Sequence, residues 1–369
     1  RLNLIVTTAD TQRAHVTKIK SSELNTVIAK FRDEVKNPTT DPRESGRKLF
    51  DILLNKEVLQ DLNGIQADTI IWSLDGVLRY VPISALWTGN EYLVEKYRNV
   101  VITLASRDRL KDSTPDRSGW QGLGLGVSKT ALVTNEDGTS RTFGSLPAVP
   151  QEICGIIADK DVNDGCAKIN ENGVLKGKAL LDDQFTLINF KNHLGRYPIV
   201  HIASHFVLNA GSETDSYLLL GGGAARKLTL ADIRRGGTRF TGVELLTLSA
   251  CDTAMGSSNK SNGVEVEGFG ALAQNQGAKA VLASLWPVAD ESTRELMIEF
   301  YRQLESTPKI TKAEALQRAQ LTLLRGNSAT PGKEEGRGIP FGGPSLASLG
   351  SRFSHPYYWS PFVLMGNWQ

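Results

Sequence analysis

The sequence predicts an α/β fold in which helices flank a largely parallel central sheet. Short apolar runs of strand length alternate with segments of helical periodicity, a pattern typical of parallel sheets. The clearest strands are residues 199–203, 243–249 and 280–286, and the clearest helices are residues 264–276 and 290–304. Gly277, directly after the first of these helices, is a typical helix stop.

The N-terminal third is expected to combine helices with further strands. Helical spacing covers residues 21–60, with one break bounded by prolines. Strand-like runs occupy residues 69–74, 99–104 and 122–127, and the last of these carries alternating glycines. This run resembles a nucleotide-binding loop, but Val127 stands where the loop requires its third glycine, so nucleotide binding is not expected.

Three further segments complete the predicted organisation. We expect residues 1–44 to be an N-terminal helical segment, which would be the end of an upstream repeat region if repeats precede it, and residues 45–369 to form one domain. Residues 326–352 are rich in glycine, serine and proline, which predicts a mobile loop. Residues 356–364 predict a closing strand.

Composition predicts an ordinary soluble globular protein. Of the 369 residues, 40% are hydrophobic and 22% are charged. The 42 lysines and arginines against 40 acidic residues leave a net charge of +2, which gives no reason to expect nucleic acid or an acidic membrane surface as a partner. No apolar run reaches the roughly 18 residues of a membrane span.

The three cysteines, Cys154, Cys166 and Cys251, are too few and too scattered to predict a disulfide framework. None lies at metal-ligand spacing from another cysteine or from a histidine, so zinc is not expected. The sequence predicts no cofactor and leaves calcium dependence open. A reducing cytoplasm therefore fits the sequence best. Cys154 and Cys166 have no identifiable base partner, and we expect both to be structural.

Two reactive side chains, His205 and Cys251, follow the predicted strands 199–203 and 243–249. If these strands are neighbours, both side chains emerge at the carboxyl edge of the sheet, where chemistry gathers in α/β folds. An imidazole beside a thiol can take its proton and activate it as a nucleophile. His205 precedes Cys251 by 46 residues, close to the order and spacing of caspases. The alternative is that Cys251 is only a small buried residue at the end of a strand. His201 is expected to be buried and structural.

Six motifs occur in order along the chain: LDGVLRYVPI (74–83), VHIASHF (200–206), LTLSACDTA (246–254), EVEGFGAL (265–272), ASLWPVADE (283–291) and PYYWSPFVL (356–364). Together they resemble the CHAT family of caspase-like domains, which are related to separase and often follow tetratricopeptide repeats in bacterial proteins. The resemblance implies one caspase/hemoglobinase-like domain, with His205 as base and Cys251 as nucleophile. Many relatives have glycine after the catalytic histidine; this chain has Phe206, whose side chain is expected to alter substrate access.

The resemblance also suggests how a substrate is recognised. Separase-like relatives bind a basic P1 side chain with an acidic residue in the S1 pocket. Asp290 is the first candidate for this residue, because it lies in the motif that follows strand 280–286, and Asp252 is the second. Either carboxylate could instead cap a helix or lie at the surface.

The function that these features predict is a caspase-like cysteine endopeptidase in bacterial proteolytic signalling or defence. Its expected partners are a protein substrate and either an upstream tetratricopeptide-repeat region or a regulatory protein. The main alternative is an inactive caspase-like scaffold that binds proteins, although both members of the dyad are present. A thiol transferase or small-molecule hydrolase is a further alternative, but the sequence contains no recognisable small-ligand motif.

Overall fold

The computed structural model of the chain is built around a large, mostly parallel sheet. It describes residues 1–110, 119–134, 138–159, 166, 172–209, 212–223, 226–249, 264–286, 288, 290–326 and 352–369. The described strands are β1 (Leu2–Thr7), β2 (Gln12–Thr17), β3 (Thr69–Trp72), β4 (Arg98–Val101), β5 (Gly122–Gly126), β6 (Ala131–Thr134), β7 (Ser140–Phe143), β8 (Ile157–Ala158), β9 (Leu175–Leu181), β10 (Ile199–Ala203), β11 (Phe206–Val207), β12 (Tyr217–Leu219), β13 (Lys227–Thr229), β14 (Leu245–Leu248), β15 (Ala280–Ser284) and β16 (Phe362–Gly366). The described helices are α1 (Ser21–Lys36), α2 (Arg43–Leu53), α3 (Lys56–Gly64), α4 (Leu93–Lys96), α5 (Val149–Ile156), α6 (Leu187–His193), α7 (Leu230–Asp232), α8 (Val264–Asn275), α9 (Asp290–Ser306), α10 (Lys312–Arg325) and α11 (Pro356–Trp359).

The central sheet has the strand order β3-β4-β16-β15-β14-β10-β5-β9-β8 within the described part of the chain. Its neighbouring strands pair in parallel, except that β16 runs antiparallel to β15. Among the described strands, three smaller antiparallel sheets (β1-β2, β6-β7 and β11-β12-β13) accompany it. The predicted α/β class, with a mostly parallel sheet flanked by helices, is confirmed.

Helices cover both faces of this sheet. On one face lie α5 and α9, which pack against each other, and Tyr301 of α9 contacts His201 of β10 and Thr247 of β14. On the opposite face lies α8, whose Gly270 approaches Val281 of β15. Strands buried on both faces explain why β10 and β14 are apolar along most of their length.

The alternating glycines of β5 allow α5 to approach the sheet closely. A Cβ atom placed on Gly124 would lie 2.8 Å from Ile153 and 2.9 Å from Ile157, and one placed on Gly126 would lie 2.7 Å from Val149. These distances are shorter than ordinary contacts between carbon atoms, so a larger residue would push the helix away. The glycine run is therefore explained by helix packing.

The N-terminal segment differs from the prediction for residues 1–44. Strands β1 and β2 form an antiparallel hairpin before α1 begins at Ser21, so only the second half of the segment is helical. Leu2, Leu4 and Val6 alternate with more exposed residues and pack against the core. This alternation with a period of two is typical of a half-buried strand, so these residues form a strand and not a helix.

The C-terminal segment also differs from the prediction. Residues 356–364 are expected to be a continuous strand, whereas they form the short helix α11 followed by the first residues of β16. His355 caps α11 by accepting a hydrogen bond from the backbone N–H of Tyr357, and Pro356 occupies the first turn, where its missing N–H costs nothing. The predicted mobile loop, residues 326–352, lies outside the described residues except at its two ends.

The cysteines differ from the prediction as well. Cys154 of α5 forms a disulfide with Cys166, across a sequence separation of 12 residues. The two are structural, as expected, but by covalent pairing, which sequence spacing alone did not reveal. Disulfides are rare in reducing compartments, so this bond does not support the predicted reducing cytoplasm. The cytoplasmic location stays a prediction. None of the described helices is both long and apolar enough to cross a membrane.

Candidate active site

His205 lies at the carboxyl edge of the central sheet, two residues after β10 ends. The preceding Ser204 is buried, and its hydroxyl donates a hydrogen bond of 2.7 Å to the carbonyl of Leu219 at the end of β12. The N–H of Leu219 in turn donates to the carbonyl of His205 at 2.9 Å. The backbone around His205 is thus fixed on two sides, while its half-exposed imidazole can still be reached from solvent.

One nitrogen of the His205 ring is bound by the protein. Its Nε2 lies 2.9 Å from the carbonyl oxygen of Gly144, the residue that directly follows β7. A carbonyl oxygen can only accept, so Nε2 carries a hydrogen, and in the neutral ring Nδ1 keeps its lone pair. The β6-β7 hairpin therefore selects the tautomer in which Nδ1 can act as a base.

Aromatic side chains support the imidazole. The ring of Phe143 lies 5.1 Å from the ring of His205, and Tyr217 lies 6.3 Å beyond Phe143. Arg141 lies 4.9 Å from the ring of Phe143, and Lys227 lies 4.8 Å from the ring of Tyr217. Burial raises the pKa of Tyr217, although nearby Arg141 opposes the shift, so the phenol is neutral at pH 7. These cations make the surroundings favourable for a negative charge that develops near His205.

Strand β14 leads the chain toward Cys251. It pairs in parallel with β10, and the pairing extends to Ser249, whose N–H donates a hydrogen bond of 2.8 Å to the carbonyl of Ile202. The two segments that carry the predicted dyad therefore leave the sheet side by side, which is the neighbour relation that the sequence argument requires. Cys251 and Asp252 themselves lie outside the described residues.

The structure describes the other predicted site residues in part. The side chain of Phe206 is buried and packs edge-on against Phe269 of α8, with the ring centres 5.4 Å apart. It therefore packs into the core beside His205, and its expected effect on substrate access stays a prediction. Asp290 is the first residue of α9, and its side chain lies outside the described part of the structure.

A row of buried polar side chains beneath the edge was missed by the sequence analysis, apart from the burial of His201. Nε2 of His201 lies 2.8 Å from Oε1 of Glu152, and its Nδ1 lies 3.2 Å from the hydroxyl of Tyr301. That hydroxyl lies 2.7 Å from Oγ1 of Thr247. A signal was present in the sequence, because Glu152 and His201 are polar residues within otherwise apolar runs, but their partners are distant along the chain.

The fold and the site define a class of protein: an α/β domain with an oriented histidine at the carboxyl edge of a mostly parallel sheet. The chain belongs to the CHAT-domain family, whose sequence model matches residues 43–367. No curated protein matches the chain.

Several solved structures are similar in fold. The Arg specific cysteine proteinase gingipain R (RgpB) is 11% identical, with a TM-score of 0.47 and coverage of 93% of this chain and 73% of that chain. The complex of Porphyromonas gingivalis RgpB pro- and mature domains is 10% identical, with a TM-score of 0.47 and coverage of 93% and 75%. The Saccharomyces cerevisiae separase–securin complex is 11% identical, with a TM-score of 0.43 and coverage of 96% of this chain and 20% of that chain. At these identities the likeness concerns the fold alone.

Proposed function

We propose that the chain is a caspase-like cysteine endopeptidase that cleaves a protein substrate, with Cys251 as nucleophile and His205 as base. The observation that carries the proposal is the His205 ring, which is held through Nε2 so that Nδ1 can accept a proton, beside the strand that runs on toward Cys251. Membership of the CHAT family supports the same assignment. Because Cys154 and Cys166 are joined to each other, Cys251 is also the remaining cysteine of the chain.

In the proposed reaction, Nδ1 of His205 takes the proton of the Cys251 thiol, and the sulfur forms a bond to the carbonyl carbon of the scissile peptide. The proton passes from Nδ1 to the leaving nitrogen as the C–N bond breaks, which leaves a thioester. Nδ1 then takes a proton from water, whose oxygen attacks the thioester, and the proton returns to the sulfur as the acid product departs. Base assistance of this kind contributes about 10² to 10⁴ in rate.

The proposal extends to recognition of the substrate. Asp290 is assigned to the S1 pocket for a basic P1 side chain, and Asp252 is the second candidate. Phe206 is assigned to substrate binding through its main-chain amide, because its side chain packs into the core against Phe269. The biological setting that we propose is bacterial proteolytic signalling or defence, with a tetratricopeptide-repeat region or a regulatory protein as partner.

The test is cleavage of peptide and protein libraries by the purified chain, read by mass spectrometry of new N-termini. Cys251→Ala and His205→Ala should each lower turnover by about 10³-fold or more, because each removes one member of a unit that acts together. His193→Ala is the matched control. His193 is also partly exposed, and its Nδ1 lies 2.8 Å from the carbonyl oxygen of Asn189, but it belongs to α6 and not to the proposed site.

Two results would contradict the proposal. If His205→Ala keeps the same turnover as His193→Ala, His205 is not a member of a catalytic dyad. Absence of any cleavage by the wild-type chain, together with stoichiometric capture of a protein that the dyad variants capture equally well, would favour the scaffold alternative.

A further inference from the structure

We infer that Glu152, His201, Tyr301 and Thr247 form a positioning network for the proposed catalytic pair, and this inference rests on the proposed protease function. All four side chains are buried, with His201, Tyr301 and Thr247 each fully inaccessible to solvent. They come from α5, β10, α9 and β14, so one hydrogen-bonded chain joins two helices to the two strands that precede the candidate dyad.

The strand register gives the network its reach. His201 and Thr247 are direct partners in the parallel pairing of β10 with β14. Each also precedes its proposed catalytic residue, His205 or Cys251, by four positions. Four residues of extended chain span at most about 13 Å, so the network is within that reach of His205 along β10. Its four side chains are buried and do not contact a substrate, so the role that we assign to them is to fix the two strands relative to each other.

The hydroxyl of Tyr301 is the element that couples the two strands. Burial raises the pKa of this phenol, with the charge of Glu152 adding to the shift and the hydrogen bond with Thr247 opposing it, so the hydroxyl keeps its proton. The arrangement that uses every polar hydrogen runs from Thr247 to Tyr301, from Tyr301 to Nδ1 of His201, and from Nε2 of His201 to Glu152. A single oxygen is therefore bonded to both strands, so a change in their separation would distort at least one of the two bonds.

A buried side-chain hydrogen bond of similar chemistry lies elsewhere in the described residues. Thr103 donates from its hydroxyl to Oε1 of Gln274 at 3.0 Å, and both residues are buried. This pair joins the end of β4 to α8, away from the β10–β14 pairing. It provides a control of similar chemistry, because a threonine-to-valine change removes one buried hydroxyl in each case.

The experiment compares Tyr301→Phe and Thr247→Val with Thr103→Val in the full chain. We expect the first two to lower kcat on a cleaved peptide by about 10- to 100-fold with KM within about twofold, because a displacement of about 1 Å can cost that much in rate. Thr103→Val should leave kcat within about twofold. Thr247→Ser keeps the hydroxyl and should restore kcat. All assays are run well below the melting temperature of the least stable variant.

A second readout does not need a substrate. The rate of Cys251 alkylation by iodoacetamide, measured against pH, reports how strongly His205 activates the thiol. Tyr301→Phe and Thr247→Val should move this pH profile toward that of His205→Ala, whereas Thr103→Val should not.

The outcomes separate the inference from the proposed function. If Tyr301→Phe and Thr247→Val melt at lower temperature but keep the wild-type kcat and alkylation profile, the network is only structural and the inference is overturned. If the wild-type alkylation profile equals that of His205→Ala and no peptide is cleaved, the proposed function fails and the inference fails with it.

Discussion

Replacing Gly124 of β5 by alanine should destabilise the protein by an amount that follows from the packing of α5. The new Cβ atom would lie 2.8 Å from Ile153 and 2.9 Å from Ile157, whereas carbon atoms in contact prefer about 3.5 to 4.0 Å. Both neighbours are β-branched and stiff, so α5, which carries Ile153, and Ile157, which directly follows it in β8, must move outward by about 0.7 Å or more. Overpacking of this kind costs about 1 to 3 kcal/mol.

The same movement should strain the hydrogen bond between Glu152 of α5 and His201, which is 2.8 Å long. An outward shift of about 0.7 Å brings it to the limit of hydrogen bonding, and a buried polar group that loses its partner costs about 1 to 3 kcal/mol more. The expected total for Gly124→Ala is about 2 to 6 kcal/mol, which for a chain of 369 residues corresponds to a fall of about 3 to 8 °C in melting temperature.

Thermal unfolding followed by circular dichroism measures this prediction. Gly64→Ala is the matched control, because a Cβ atom at Gly64 meets nothing within 4 Å and alanine favours the helix α3 in which it lies. Ile153→Ala should cost less in the Gly124→Ala background than in the wild type, since it removes part of the clash. Equal melting temperatures for Gly124→Ala and Gly64→Ala would refute the reasoning.

Two further predictions concern the proposed chemistry. Iodoacetamide should inactivate the unreduced protein by modifying Cys251 alone, because Cys154 and Cys166 are joined to each other. The metal chelator phenanthroline should leave activity unchanged, because no cysteine lies at metal-ligand spacing. A second modified cysteine, or inhibition by phenanthroline that added zinc reverses, would contradict this prediction. Asp290→Ala should lower kcat/KM for peptides with P1 arginine by about 30-fold or more and spare those with a neutral P1 residue, because it removes the partner of a desolvated charge. Equal losses on both kinds of peptide, or a library preference for P1 aspartate, would remove Asp290 from the S1 pocket.

The sequence predicts most of the central sheet, because strands buried on both faces are short apolar runs with clear ends. The predicted strand at residues 199–203 coincides with β10, and the segment at 243–249 contains β14. The placement of His205 after a strand follows directly from this. Strand β9 was missed because Lys176 and Lys178 interrupt its apolar pattern, which predicts a surface segment when neighbours are unknown.

The supporting contacts could not be predicted, for two physical reasons. The oxygen that orients His205 belongs to the main chain of Gly144, and every residue has such an oxygen, so no residue type marks it. Contacts between distant residues also leave no local pattern: Glu152 and His201 are 49 positions apart, and His201 and Tyr301 are 100 apart. Each alone suggests an isolated polar residue in a core, and only the fold shows that they satisfy one another.

The glycines of β5 and the buried network are parts of one arrangement. Gly124 and Thr247 are the register partners of His201 on its two sides, so the three residues form a row across β5, β10 and β14 on the face that α5 and α9 cover. The absence of a side chain at Gly124 lets α5 come close enough for Glu152 to reach His201, and Tyr301 of α9 reaches both His201 and Thr247. Gly124 belongs to the glycine run that resembles a nucleotide-binding loop in the sequence. In the fold, it allows α5 to pack closely, and the two ring nitrogens of His201 connect α5 and α9 to the strands that precede the proposed catalytic pair.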